Sequence, residues 1–357
     1  MKRSRGPKPN GSRLAEGETE MGTLVLRMCA LLTLFALATA STSDAEPVKI
    51  RAGWVGAPAS IIPFMFAKEG LSRHNGKSYL LEPIYFSGSP LEISAMASGE
   101  LEVGTLGYST FSIAVLNAGL KDLKIVADEI ADGVGDYFSL NYAVRKDSPI
   151  QKVEDLRNKV VATNAIGAGA YIPLEVMLRK SGLLPNRDYR IVETNFANMK
   201  PMLLESKADL VTATLPFVLD PELQAGMRVL FRARDAMGVT ALSFWVMRAD
   251  FIAANRSVVI DLLEDYVRAT RWFLDPANRT EAIDIIARFT KQPPERISAF
   301  VFTTKDFYRS PDVLPDFAAL QKNIDAQREI GLIKGDIRIA DHAEPELLRA
   351  ATARISK

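Results

Sequence analysis

The residues from Asp155 to Met177 place a glycine-rich turn between a short β-prone run and a helical pattern. Val160–Ala162 predict a strand, and Pro173 is tolerated only in the first turn of a helix, which puts the helix start near Ala168–Ile172. The free N–H groups of a helix start favour an anion or a polarised oxygen. An ordinary strand-to-helix turn explains this stretch equally well, and the residues alone favour that simpler interpretation.

Three other features could contact a ligand. Ser87-Gly88-Ser89 offers hydroxyl and N–H groups at a second helix start, where they either bind an oxyanion or cap the helix. Trp54 and Phe217 either form an aromatic wall for a ligand or belong to the core. The phenol of Tyr108 is a further candidate donor to a ligand.

The chain offers little for metal or covalent chemistry. His74 and His342 are its only histidines and lie far apart in sequence, so they predict no metal set. The sequence contains no serine elbow, no cysteine nucleophile and no P-loop. An acidic cluster, Asp128, Glu129 and Asp132, either recognises an amine or forms a solvated edge of a hinge; we expect the solvated edge.

Composition predicts a globular protein of about two domains. The chain has 357 residues, 48% of them hydrophobic, and a net charge of +1, which lacks the basic excess that nucleic acid binding needs. Residues 21–45 resemble an export signal, with Arg27 before the apolar run Leu31–Ala38. The small residues Ser43–Ala45 suit a cut before Glu46, and Ala38–Ala40 offer a second possible site. Cleavage would remove Cys29, the only cysteine, and leave a mature chain without disulfides.

Strand, tight turn and helix repeat along the mature chain with a period near thirty residues, which predicts an α/β fold. Val48–Val55 predict the first strand, and Ile61–Lys68 predict the first helix. Small polar turns follow the strands at Ala57–Ser60, Ser87–Pro90 and Gly107–Ser109. Ligands bind at the carboxyl ends of the strands in such sheets, so we expect these turns to lie together.

Two β-prone segments, Ser139–Asp147 and Leu242–Asp250, interrupt the alternation and both end in Arg-x-Asp. We interpret them as strands that cross between two lobes. The first lobe would comprise residues 46–140 and 241–357, with helices at its C-terminal end. The second lobe would be an insertion at residues 141–240.

The order of these features resembles the substrate-binding proteins of ABC importers for nitrate, alkanesulfonates and taurine, a superfamily that includes binders of thiamine-pyrimidine precursors. The matching residues are Ile50–Trp54, Ser87–Pro90 with Ala95–Glu100, Lys146–Ile150, Val153–Ala162 and Gly331–Lys334. The resemblance implies a type II periplasmic-binding-protein fold, with two α/β lobes, two crossing strands as a hinge and a ligand in the cleft.

The same resemblance implies which turns contact the ligand. The site residues it predicts are Trp54, Pro58, Ser60, Ser87, Gly88, Ser89, Gly107, Tyr108, Asn164, Gly167, Ala168, Gly169, Tyr171, Thr214 and Phe217. The turn Gly167–Ala170 lacks the hydroxyl residues that the family often has there, and Leu215–Val218 replaces its frequent Trp-Asp-Pro-Tyr. These departures weaken the case for sulfonate or nitrate and leave room for a larger organic molecule with carboxylate or ring character.

The resulting hypothesis is a periplasmic solute-binding protein without catalysis, cofactor or metal. It would deliver a small organic ligand, expected to be anionic, to a permease and an ATPase on separate chains, and it would act as a monomer. The alternatives are a pyrimidine-precursor binder or a synthase-like enzyme of the same superfamily, and a binding protein that presents its ligand to a membrane sensor.

Overall fold

The computed structural model describes Gly6 and residues 46–355, so the predicted export signal lies outside the described residues. Among them, ten strands follow in chain order: β1 (Val48–Trp54), β2 (Tyr79–Tyr85), β3 (Gly104–Leu106), β4 (Leu123–Asp132), β5 (Asn141–Arg145), β6 (Val160–Thr163), β7 (Arg190–Glu193), β8 (Leu210–Ala213), β9 (Met227–Arg232) and β10 (Thr240–Arg248).

The helices of the first two thirds of the chain alternate with these strands: α1 (Ser89–Ala97), α2 (Tyr108–Leu116), α3 (Tyr171–Lys180), α4 (Met199–Leu204), α5 (Pro221–Gly226) and α6 (Ala233–Met237). The last third is helical: α7 (Ala249–Ala254), α8 (Arg256–Leu274), α9 (Arg279–Thr290), α10 (Pro294–Ser298), α11 (Phe317–Glu329), α12 (Ile339–His342) and α13 (Pro345–Ile355). No helix among residues 46–355 is both long enough and apolar enough to span a bilayer.

The strands form two groups. In the first lobe, β1 pairs in parallel with β2, and β10 lies antiparallel between β3 and β4. A parallel bridge between Ala52 and Val103 joins β1 to β3. The second lobe has one sheet in the order β7-β6-β8-β5-β9, with β6 parallel to both of its neighbours. This arrangement confirms the predicted α/β class with two lobes.

The chain passes between the two strand groups twice. Both passages lie next to the segments predicted to cross between the lobes, Ser139–Asp147 and Leu242–Asp250. The strands themselves do not cross: β5 pairs only with β8 and β9, and β10 pairs only with β3 and β4. The connections are instead the residues before each strand, 133–140 and 238–239. They touch each other, because a Cβ atom added at Gly133 would lie 2.7 Å from the carbonyl oxygen of Gly238.

The core of the first lobe lies between its strands and the long amphipathic helix α8. Trp245 on β10 stacks on Tyr266 of α8 with the ring centroids 3.8 Å apart, and both side chains are buried. Asp265 on the same helix accepts hydrogen bonds from the N–H groups of Arg73 and His74 and from the phenol of Tyr79, each at 2.8–2.9 Å. Three donors satisfy this buried carboxylate, so it fixes the loop before β2 to α8.

The predicted helix Ile61–Lys68 is wrong. This segment holds only a short 3₁₀ turn, Ile62–Phe64. Ile61 and Met65 are buried together with that turn, and residues 61–65 include no polar side chain, so this part of the segment has no amphipathic pattern. The segment is therefore a buried loop that fixes the position of the turn before it, Ala57–Ser60.

Candidate functional site

Small polar turns of the first lobe meet at one edge of its strands. β1, β2 and β3 run parallel and end at Trp54, Tyr85 and Leu106, so the turns that follow them emerge on the same side. These turns line a cavity of about 270 Å³. Its wall includes the predicted residues Ser60, Ser89 and Gly107, together with Thr105, Glu129 and Ser243, which the sequence did not assign to the site.

Gly107 lies at the tightest point of this wall. A Cβ atom there would lie 2.5 Å from the carbonyl oxygen of Leu242, so only glycine allows the strand-to-helix turn to approach β10 this closely. The N–H group of Gly107 donates to the hydroxyl of Thr110, which caps α2. The main-chain N–H groups of Tyr108 and Ser109 follow at the open start of that helix.

The second lobe contributes the glycine-rich turn after β6. Gly167 has a φ of +83°, a conformation that favours glycine. The carbonyl of Ala168 accepts from the N–H groups of Tyr171 and Ile172, so the helix starts inside the predicted interval. Within the described part of the chain, the N–H groups of Gly167, Gly169 and Ala170 have no hydrogen-bond partner. This turn therefore offers main-chain donors, as its sequence predicted.

Two buried tyrosines hold the carbonyl groups of this turn. The phenol of Tyr108, at the start of α2 in the first lobe, donates to the carbonyl of Gly169 at 2.6 Å. The phenol of Tyr142, on β5 of the second lobe, donates to the carbonyl of Ala170 at the same distance. The first bond joins the lobes and the second lies within one lobe. Because the Tyr108 hydroxyl hydrogen is used in this contact, a donation to a ligand would require the bond to break.

A second cavity, of about 480 Å³, lies between the lobes and is mainly apolar. Its walls include Trp54 and Pro58 from the first lobe, Phe217 from the second, and Phe289 from α9. The Trp54 ring lies 5.7 Å from that of Phe289, in an edge arrangement. Phe217 remains 41% exposed, which is unusual for a phenylalanine in a core and leaves its ring open to the cavity.

The remaining predicted residues are not in the walls of these two cavities. Ser87 is exposed, and Gly88 caps α1. Asn164 follows β6, and its Oδ1 atom is buried without a hydrogen-bond partner. The carbonyl of Thr214 accepts from Val218 N–H at 2.8 Å, and the side chain of Tyr171 is buried beside Glu175. Their role as ligand contacts stays a prediction.

The acidic cluster does not form a solvated edge, so that expectation is wrong. Asp128, Glu129 and Asp132 on β4 are all buried, as is Glu92 on α1. Burial raises the pKa of Glu92 to about 8, with the negative charge of Glu129 adding to the effect. Burial and the same neighbour raise the pKa of Asp128 to about 8, and burial raises the pKa of Asp132 to about 6. The first lobe therefore carries several carboxyl groups that tend to hold a proton.

The described residues contain no group of three or more His, Cys, Asp and Glu side chains arranged to hold a metal ion. The buried carboxylates of β4 point to different surroundings: Asp132 accepts from the N–H of Leu140 at 2.7 Å, whereas Glu129 accepts from the hydroxyl of Ser243.

Comparisons with known proteins agree with this architecture. Residues 91–235 match the family model described as "ABC transporter, phosphonate, periplasmic substrate-binding protein". This match, which includes most of the second lobe, confirms the resemblance to the substrate-binding proteins of ABC importers. A search of curated protein sequences gives no match.

Solved structures show the same fold at low sequence identity. The periplasmic aliphatic sulphonate binding protein SsuA from Escherichia coli is 20% identical with a TM-score of 0.65, over 83% of this chain and 92% of that chain. The periplasmic nitrate-binding protein NrtA from Synechocystis PCC 6803 is 14% identical with a TM-score of 0.64, over 87% and 89%. The desulfurization enzyme DSZB is 14% identical with a TM-score of 0.58, over 86% and 99%. The fold is that of the two-lobed periplasmic binding proteins.

Tyr108→Phe is expected to weaken ligand binding about fivefold, because one hydrogen bond between the lobes contributes about 1 kcal/mol to the closed arrangement. Tyr142→Phe is the matched control, since it removes a bond of the same length within the second lobe. Calorimetric titration and small-angle X-ray scattering of both variants check this. A larger radius of gyration is expected for Tyr108→Phe alone, because Tyr142→Phe removes a bond within one lobe; an equal radius of gyration in both variants would contradict the assignment of the Tyr108 bond to closure.

The raised carboxyl pKa values predict that stability falls as the pH rises from about 5 to about 8. Over this interval the folded chain retains protons on Glu92 and Asp128 that the unfolded chain has released, so raising the pH favours unfolding. Thermal unfolding at constant ionic strength measures the effect. Glu92→Gln is expected to make the fall smaller, whereas Glu82→Gln, at a half-buried position of β2 beside Lys49, should leave it unchanged. A melting temperature that rises over this interval would contradict the assignment.

Proposed function

We propose that this chain is a periplasmic solute-binding protein that captures a small organic ligand between its lobes and delivers it to an ABC permease with a separate ATPase. The observation that carries the proposal is the meeting of strand-end turns from both lobes. Ser60, Ser89 and Gly107 line one cavity, and Trp54, Pro58 and Phe217 line the adjoining space between the lobes. The family match and the SsuA and NrtA folds support the same conclusion.

The chain offers two kinds of contact to such a ligand. The open starts of α2 and α3 present main-chain N–H groups, which suit a carboxylate, sulfonate or phosphonate oxygen. The aromatic cavity at Trp54, Phe217 and Phe289 suits an organic body, since stacking and burial of apolar surface stabilise it there. An anionic head with an organic body is therefore the ligand that uses both.

The organisation of the chain follows from the same proposal. We propose that the lobe boundaries lie at residues 140/141 and 240/241. Both connections between the lobes would then lie at the cleft, where bending of the chain moves one strand group relative to the other. We propose export by the signal around residues 21–45 and action as a monomer. Delivery of the ligand needs one binding event and closure of one chain, so a second copy of the chain is not required.

The fold of DSZB makes an enzyme the second candidate. The wall residues named above include no cysteine and no histidine, the side chains that most often act as nucleophile and general base. His74 lies beside Asp261 and Glu264, and His342 contacts the carbonyl of Leu123. Binding without turnover is the function that these surroundings support best.

A ligand panel tests the proposal. Thermal unfolding with sulfonates, phosphonates, nitrate, aliphatic and aromatic carboxylates and pyrimidines is expected to show one class that raises the melting temperature, because a ligand that binds only the folded state stabilises it. Chromatography of the mixture after incubation should return that compound unchanged. A compound that is consumed would favour the enzyme, and a panel without any shift would contradict the proposal.

Ala168→Asp is expected to weaken the binding of the anionic compound at least about tenfold, because it adds a negative charge at the start of α3. Ala168→Asn is the matched control, with nearly the same shape and no charge. Both variants are expected to keep the melting temperature of the unliganded protein within about 2 °C, since Ala168 is only half-buried. Equal affinities in the two variants would remove this helix start from the site.

A further inference from the structure

A third cavity, of about 470 Å³, adjoins the aromatic cavity between the lobes. Its walls come from the second lobe, at Phe196, Lys200 and Leu219, and from the C-terminal helices of the first lobe. The two cavities share the wall residues Pro216, Phe217, Arg296 and Phe300. The two lobes therefore line one extended space, and Arg296 on α10 belongs to both parts of its wall.

Arg296 has no acidic partner. Its side chain is exposed, and its one hydrogen bond within the described residues runs from Nη1 to the amide oxygen of Gln292, at 3.2 Å. Its neighbour in the chain, Glu295, makes no ion pair with it. A guanidinium group carries five N–H donors, so most of the donors of Arg296 are free to bind a ligand.

The other charges in these walls are already paired. The ammonium group of Lys200 lies 2.9 Å from the carboxylate of Asp220 and 3.1 Å from that of Glu222. Asp220 also accepts from the N–H groups of Glu222 and Leu223, each at 3.0 Å. In the aromatic cavity, Arg296 is the only described wall residue that carries a charge. The described walls between the lobes thus present one unpaired positive charge beside apolar surface.

The surroundings of Arg296 favour an anion that is attached to an organic body. Opposite charges attract more strongly where apolar groups exclude water, and a planar guanidinium can hold a carboxylate through two parallel hydrogen bonds. Beside it, Phe217 is 41% exposed and Phe289 is 43% exposed, so both rings are open to a ligand. A ring with an anionic substituent would use the phenylalanine rings and the guanidinium together.

We infer that Arg296 binds a second anionic group of the ligand. The ligand is then an organic dianion: one anionic group binds main-chain N–H groups at the starts of α2 and α3, an aromatic body fills the aromatic cavity, and the second anionic group reaches Arg296. The loop after β1 lies along this path, since Ser60 lines the first-lobe cavity and Pro58 lines the aromatic cavity. This inference rests on the proposed binding function and names the chemical class of its ligand.

The test uses pairs of compounds of nearly the same shape that differ in the second charge, because an amide replaces one carboxylate. The pairs are terephthalate and 4-carbamoylbenzoate, 4-sulfobenzoate and 4-carbamoylbenzenesulfonate, and 4-phosphonobenzoate and 4-carbamoylphenylphosphonate. Calorimetric titration of the full chain near neutral pH is expected to show at least about tenfold tighter binding of the carboxylate member in one or more pairs, as hydrogen bonds between charged groups are the stronger ones.

Three variants assign this preference to Arg296. Arg296→Gln removes the charge and is expected to reduce the preference to within about threefold. Arg288→Gln is the matched control: it removes an exposed arginine of α9 that lies outside both cavity walls, so the preference should persist. Arg296→Lys keeps the charge without the planar fork and should retain a smaller preference. Both positions are exposed, so the melting temperature of the unliganded protein should stay within about 2 °C.

The possible failures are distinguishable. Equal binding of both members of every pair, or an unchanged preference in Arg296→Gln, would overturn the second anion site and leave the binding function intact. An equal loss of preference in Arg288→Gln and Arg296→Gln would also overturn it, since the preference would then arise from the general charge of this surface. Tight binding of another class in the ligand panel, with no dianion bound, would do the same. Absence of any bound compound in both experiments would overturn the function and this inference together.

Discussion

Parallel strands that end at one edge of a sheet bring the turns after them to one place, and the whole account depends on this constraint. β1, β2 and β3 obey it in the first lobe, and β6, β7 and β8 obey it in the second. Each turn is followed by a helix or a helical turn, so unsatisfied N–H groups collect where the two edges face each other. The Tyr108–Gly169 hydrogen bond fixes one such turn of each lobe against the other.

The two lobes contribute different chemistry to the cleft. The second lobe supplies small residues and main-chain donors, and its buried tyrosine Tyr142 orients the glycine-rich turn. The first lobe supplies hydroxyls and a buried carboxylate, with the aromatic walls at the boundary. The cleft thus combines main-chain donors from one lobe with hydroxyls and aromatic walls from the other.

Much of the fold could be predicted from the sequence, because the spacing of apolar residues and the positions of glycine and serine in turns are local signals. Gly107 and Gly167 stand where the backbone demands them, and the turn at Ala57–Ser60 was placed correctly. The turn predicted at Gly107–Ser109 was too long, because α2 already begins at Tyr108. The helix expected at Ile61–Lys68 failed because its first five residues are all apolar and carry no helical periodicity. The partner of Tyr108 is 61 residues away, so no local pattern indicates it.

The prediction that the acidic residues of β4 face solvent was wrong for a different reason. A run of three carboxylates in ten residues normally faces water, and no local pattern indicates the bulge that lies among them. The available signal was the nearly continuous apolar run Ile125–Ala127 followed by Ile130 and Ala131, since such runs mark a strand with both faces covered. Residues whose burial contradicts their polarity are where a function is most readily overlooked from sequence alone.

The most direct measurement is a crystal structure of the chain with a compound that raises its melting temperature. The account predicts electron density between Ser89, Gly107 and the turn Gly167–Ala170, with the anionic group on main-chain N–H groups. Density on another face of the molecule would contradict it.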